Sequence, residues 1–111
     1  MKLHDICARN DIPDRQARGF KVGGSGYELE FFIVRRGDNV FGYFDRCPHT
    51  GVNLNWQPDR FLDSSEQLIQ CSTHGAQFRI HDGYCTFGPC RDRSLTAVSL
   101  RQENDRINMQ L

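Results

Sequence analysis

The chain has 111 residues, with 14 basic and 14 acidic side chains and a formal net charge of zero. At that length one domain is the default, and charges spread evenly along it leave no basic patch for nucleic acid and no charged tail. The start, Met1-Lys2-Leu3-His4-Asp5, has no apolar signal segment, and the apolar run Phe31-Phe32-Ile33-Val34 is too short to span a membrane. We therefore expect a soluble, cytoplasmic protein.

Taken in order, residues 3–7 read as an edge strand and Asn10-Asp11-Ile12-Pro13-Asp14 as a turn broken at Pro13. Phe20-Lys21-Val22 is a short strand, and Gly23-Gly24-Ser25-Gly26 a hairpin loop. No Lys-Ser or Lys-Thr follows these glycines, so they are not a phosphate cradle. Residues 27–35 give the clearest strand. Leu29, Phe31 and Ile33 share one face, and Phe32 and Val34 make the other apolar too, which places the strand centrally. Arg36-Gly37-Asp38-Asn39 turns the chain into a partner strand, Val40 to Phe44, that leads directly to Cys47.

Residues 52–67 form a long connection, with Trp56 and Phe61 packing it as a lid or flap. Short strands are expected over 67–70, 76–80 and 84–87, with His81-Asp82-Gly83 as a turn. Two more, 95–100 and 106–111, flank a hairpin at Gln102-Glu103-Asn104-Asp105. No stretch of ten residues carries a helical period. Many short strands at this spacing predict an all-β sandwich or small barrel.

Two loops carry the chemistry: Cys47-Pro48-His49-Thr50-Gly51 and Cys71-Ser72-Thr73-His74-Gly75. Each offers one thiolate and one imidazole, both metal ligands. Gly51 and Gly75 let the backbone turn close to the site without a Cβ clash. Five cysteines, Cys7, Cys47, Cys71, Cys85 and Cys90, are an odd number, and two of them sit beside histidines. That is not a secreted disulfide framework, and it points to a reducing compartment. The residues themselves allow either an iron–sulfur cluster or a structural Cys₂His₂ zinc site that stabilises an interaction module. Cys85 and Cys90 read as small buried apolar residues, with a C-x₄-C redox pair as the sharper alternative. His81 reads as a surface turn residue, and His4 as structural or exposed. No Ser/His/Asp set, paired catalytic carboxylates or dinucleotide fingerprint is present.

The pattern C-P-H-T-G at 47–51 with C-x-x-H-G at 71–75 resembles the Rieske [2Fe–2S] family. In that family two Cys hold one iron and two His the other. The resemblance implies an antiparallel β-sandwich base with a small two-loop cluster-binding subdomain. It implies one domain over 1–111, with the cluster-binding part at about 45–90. It makes Cys47 and Cys71 the ligands of the inner iron, and His49 and His74 those of the solvent-edge iron. Gly88-Pro89 is similar to the family's proline loop, which covers the cluster from a third side.

Two departures stand out. The 21 residues between His49 and Cys71 are more than many members have, so 53–66 reads as an insertion. The disulfide and the two hydroxyl donors of high-potential members are replaced by Val52, Thr73, Ala76 and Phe78. The implied function is that of a soluble ferredoxin carrying one electron from a flavin-containing reductase to a terminal oxygenase, without catalysis of its own. The small Rieske-like subunit of a nitrite reductase is the alternative. Fewer hydrogen bonds to sulfur leave the more negative reduced state less stabilised. We therefore expect a midpoint at the low end of the Rieske range, about −150 mV rather than about +300 mV. A potentiometric titration monitored in the visible range checks this, and a midpoint above zero contradicts it.

Overall fold

The computed structural model describes residues 3–24, 27–48, 53–55, 59–72, 75–90 and 92–110. Among these, nine strands form: β1 (Leu3–Ala8), β2 (Ala17–Gly24), β3 (Tyr27–Arg36), β4 (Asn39–Phe44), β5 (Leu68–Gln70), β6 (Gln77–Arg79), β7 (Cys85–Phe87), β8 (Ala97–Glu103) and β9 (Arg106–Gln110). The only helical element described is a 3₁₀ turn at Arg9–Asp11. No described helix is long and apolar enough to cross a membrane. All strand pairings are antiparallel. The larger sheet has the order β1-β9-β8-β4-β3-β2, and the smaller is β5-β6-β7.

β3 pairs on both sides, with β2 and with β4. All four residues Phe31 to Val34 are buried, and because successive side chains alternate across a sheet they serve two different cores. Phe31 and Ile33 join Cys7, Ile12, Val98, Ile107 and Met109. That core draws on β1, β3, β8 and β9, so the larger sheet folds over and encloses it. β4 and β8 are joined through Gly42↔Val98 and Tyr43↔Ala97 alone.

Phe32 and Val34 face the other way. They meet Tyr43, Leu54, Phe61, Ile69, Phe78, Ile80, Leu95 and the four cysteines 47, 71, 85 and 90. This second core lies between the larger sheet and the smaller one. The Tyr43 hydroxyl ties the two sheets by donating to the Ile80 carbonyl at 2.5 Å. Burial, with the negative charge of Asp82, pushes its pKa up to about 12, so it keeps that proton at any physiological pH.

Several boundaries differ from those read in the sequence. β2 begins at Ala17 rather than Phe20, and it runs through Gly23 and Gly24, which pair with Glu28 and Tyr27. A ladder partner holds glycines in a strand that their own propensity disfavours. At the last hairpin Gln102 and Glu103 belong to β8, opposite Ile107 and Arg106. The turn is Asn104-Asp105, both with positive φ, as a two-residue hairpin turn demands.

Phe61 is not a lid. It is 1% exposed and stacks on Phe32, with ring centroids 4.3 Å apart and planes 10° from parallel. The Asp59 carboxylate also accepts from the Gly19 amide at 2.8 Å, so residues 59–61 of the connection are anchored to β2 and β3. Trp56 lies outside the described residues.

Phe61→Ala removes a buried ring and leaves a cavity against Phe32. Such changes cost about 3–5 kcal/mol, a large share of the ~5–15 kcal/mol that holds a domain folded. We expect a drop in thermal midpoint of well over 10 °C by circular dichroism. A shift of only a few degrees would show that this stack does not anchor the connection.

Candidate metal centre

β4 delivers the chain to the first loop, as its hydrophobic pattern requires, and β5 and β6 bracket the second. Cys47 is 2% exposed and Cys71 is fully buried. Both thiols enter the core between the sheets, where water does not compete for a bound metal. His49, His74, Gly51, Val52 and Thr73 lie outside the described residues. Among the described residues no three His, Cys, Asp or Glu groups converge as a metal site. In the sequence a histidine stands two residues after Cys47 and another three after Cys71.

The backbone of Leu54 ties the loops together. Its amide donates to Asp45 Oδ1 at 2.7 Å, which closes the first loop on the residue two before Cys47. Its carbonyl accepts from the Ser72 amide at 2.8 Å and the Ser72 hydroxyl at 2.7 Å, directly after Cys71. Asn53 Nδ2 donates to the other oxygen of Asp45 at 3.2 Å, and also to Glu30. Burial pushes the Asp45 carboxyl above the ordinary aspartate value, and the charge of Glu30 adds to this; the bonds from Leu54 and Asn53 pull it back down.

The second loop is a tight turn. The Gly75 amide donates to the Cys71 carbonyl at 3.0 Å, and the Cys71 amide to the Ala76 carbonyl at 2.8 Å. Gly75 has φ +71, and a Cβ there would meet no described atom within 4 Å. That positive φ is a backbone conformation that calls for glycine.

The third side is the loop after β7. Gly88 has φ +98, and a Cβ on it would sit 2.8 Å from the Ala76 Cα. This loop therefore presses on the backbone that leaves the second loop. Pro89 is exposed and Cys90 buried. The Arg93 guanidinium donates to the Pro48 carbonyl at 2.9 Å, which fastens the third loop to the first. Cys90 Sγ lies 3.4 Å from Cys47 Sγ. Cys85 Sγ donates instead to the Phe87 carbonyl at 3.2 Å. No disulfide joins any of the five cysteines.

Cys85 and Cys90 are thus buried, as the sequence reading holds, but the sulfur neighbour of Cys90 is Cys47. His81 is exposed in its turn beside Asp82. His4 is half-buried on β1. Cys7 belongs to the other core. Sequence reading missed Asp45, Leu54, Ser72 and Arg93. Only Asp45 and Ser72 carry a signal, as polar residues flanking the two cysteines; Leu54 acts through its backbone and Arg93 from 45 residues away.

The described residues thus make a small antiparallel β protein in which two tethered loops bring thiols into one buried core. The family model described as Rieske [2Fe-2S] domain matches residues 2–102, and the chain belongs to that family. Its cofactor is accordingly a [2Fe–2S] cluster. The fold is similar to that of the ferredoxin of carbazole 1,9a-dioxygenase from Nocardioides aromaticivorans IC177, with TM-score 0.77, 20% identity, and coverage of 98% of this chain and 97% of that one. A chain in a complex of reduced oxygenase and oxidized ferredoxin in carbazole 1,9a-dioxygenase matches with TM-score 0.74 and 22% identity, over 96% of this chain and 91% of that one. A longer chain from the reduced complex between oxygenase and ferredoxin of carbazole 1,9a-dioxygenase matches with TM-score 0.77 and 16% identity, over 96% of this chain but 27% of its own length.

Gly88→Ala combines a strained positive φ with a contact against backbone that cannot yield. We expect the purified variant to carry less than half the iron of the parent, or to lose it several times faster to a chelator. Equal iron content and equal loss rates would show that the third loop does not hold the centre closed.

Proposed function

We propose that the chain is a cytoplasmic one-electron carrier that accepts an electron from a flavin-containing reductase and passes it to a terminal oxygenase. The observation that carries this reading is the pair of buried thiols, Cys47 and Cys71, on loops tethered through Leu54, in a chain of the Rieske family. Cys47 and Cys71 hold the inner iron. His49 and His74 hold the outer iron and form the exit for the electron. Residues 1–111 act as one domain, with the cluster-binding part at about 45–90. When bound, the cluster supplies a reversible one-electron couple.

The residues of this chain do the rest. The core between the sheets keeps water from the cysteine side. The backbone bonds of Leu54 hold the loops at fixed separation, so little reorganisation accompanies electron transfer. Phe87, 62% exposed, offers an apolar side chain next to Gly88-Pro89 for a partner to cover. The likeness to a ferredoxin of carbazole 1,9a-dioxygenase, and to chains from its oxygenase–ferredoxin complexes, supports a multicomponent oxygenase as the setting.

Metal analysis and an EPR spectrum of the reduced protein test the reading. We expect two irons per chain and a rhombic signal whose average g lies below that of all-cysteine clusters. His74→Cys should raise the average g while keeping iron, because it replaces a nitrogen ligand by sulfur. A colourless protein with one zinc per chain would overturn the proposal.

A further inference from the structure

The third loop brings a buried thiol against a candidate ligand. Cys90 is fully buried and Cys47 is 2% exposed, and their sulfurs lie 3.4 Å apart. The geometry alone does not say which sulfur carries the proton between them. Ligation does. This inference rests on the reading of Cys47 as an iron ligand, and a coordinating thiol is deprotonated outright. Cys90 is then the thiol that can donate along the S···S line.

Arg93 holds this contact from both ends. Its backbone amide donates to the Cys90 carbonyl at 2.9 Å, and its guanidinium donates to the carbonyl of Pro48, the residue after Cys47. The clamp fixes the backbone beside each sulfur. Among the described residues, Ala76 and Phe78, which follow the second loop, are both fully buried and their side chains carry no polar hydrogen. The Cys85 thiol is already directed to Phe87.

We propose that Cys90 is a potential-setting residue whose S–H donates to the Cys47 sulfur. Reduction places extra negative charge on the iron–sulfur unit and its ligands. A donor to a ligand sulfur binds the reduced state more tightly than the oxidised one, and more so in a core that excludes water. Cys90 thus raises the potential of the centre. A thiol is a weaker donor than a hydroxyl, so the increment is modest.

The test is the midpoint potential of the cluster-loaded protein and of its variants Cys90→Ala, Cys90→Val and Cys90→Ser, by EPR-monitored titration. At a fixed solution potential, the reduced-to-oxidised ratio of Cys90→Ala and of Cys90→Val should fall roughly two- to tenfold, the span of one net hydrogen bond. Tenfold corresponds to about 59 mV for one electron. Cys90→Val keeps nearly the volume of the thiol, so it carries the test if the alanine cavity prevents loading. Cys90→Ser restores a donor and should return the ratio to the parent value or above. One exchangeable-proton coupling of the reduced parent, beyond those of the histidine ring and backbone N–H groups, should be missing in Cys90→Val. Unchanged or raised potentials in both apolar variants, with the parent's EPR signal intact, would overturn the role of Cys90 alone. Absence of a mixed-ligand EPR signal in the parent would instead overturn the ligand reading beneath it.

Discussion

The peptide groups on either side of Leu54 hold the centre together. One donates to Asp45 and the other accepts twice from Ser72. These bonds lie beside a core that excludes water, where a hydrogen bond is strong and an unmade one is expensive. Asp45 precedes Cys47 by two residues and Ser72 follows Cys71 directly, so one residue in the long connection sets the spacing of both cysteines. Each loop has its own local turn, but a turn determines only its own shape. The separation of the two loops is a tertiary quantity.

The double use of β3 makes this arrangement possible. One face of the strand closes the sandwich through Phe31 and Ile33, and the other supports the cluster side through Phe32 and Val34. Phe61 reaches back from the connection to stack on Phe32. The base and the cysteine loops are therefore coupled through a single rigid strand. For the electron carrier proposed above such a connection matters, because a ligand frame that moves on reduction slows transfer. The third loop completes the frame with Gly88 against Ala76 and Arg93 on Pro48.

Much of this was legible in the residues. The alternation at 27–35, the turn at 36–39 and the return strand to Phe44 were readable because both faces of β3 are apolar and its turns carry Gly and Asp. The cysteine loops were readable because thiol and imidazole at such spacing have few other uses. The misreadings share one cause. Gly23 and Gly24 looked like loop because glycine has no strand propensity of its own, yet Glu28 and Tyr27 hold them in register. Phe61 looked like a flap because nothing near it in sequence is regular, and its partner Phe32 lies 29 residues earlier.

By itself the sequence determined the fold class and the family, since these depend on local period and on residue chemistry. Tertiary structure alone decided which donors meet. It set the sulfur of Cys90 against Cys47 rather than Cys85, and it routed the bonds of Asp45, Leu54, Ser72 and Arg93 across gaps of 9 to 45 residues. The physical reason is that each of these hydrogen bonds has at one end a backbone carbonyl or amide, which every residue carries, and that the sulfur contact joins residues 43 positions apart. No residue type announces them until the sheets have brought the chain segments together.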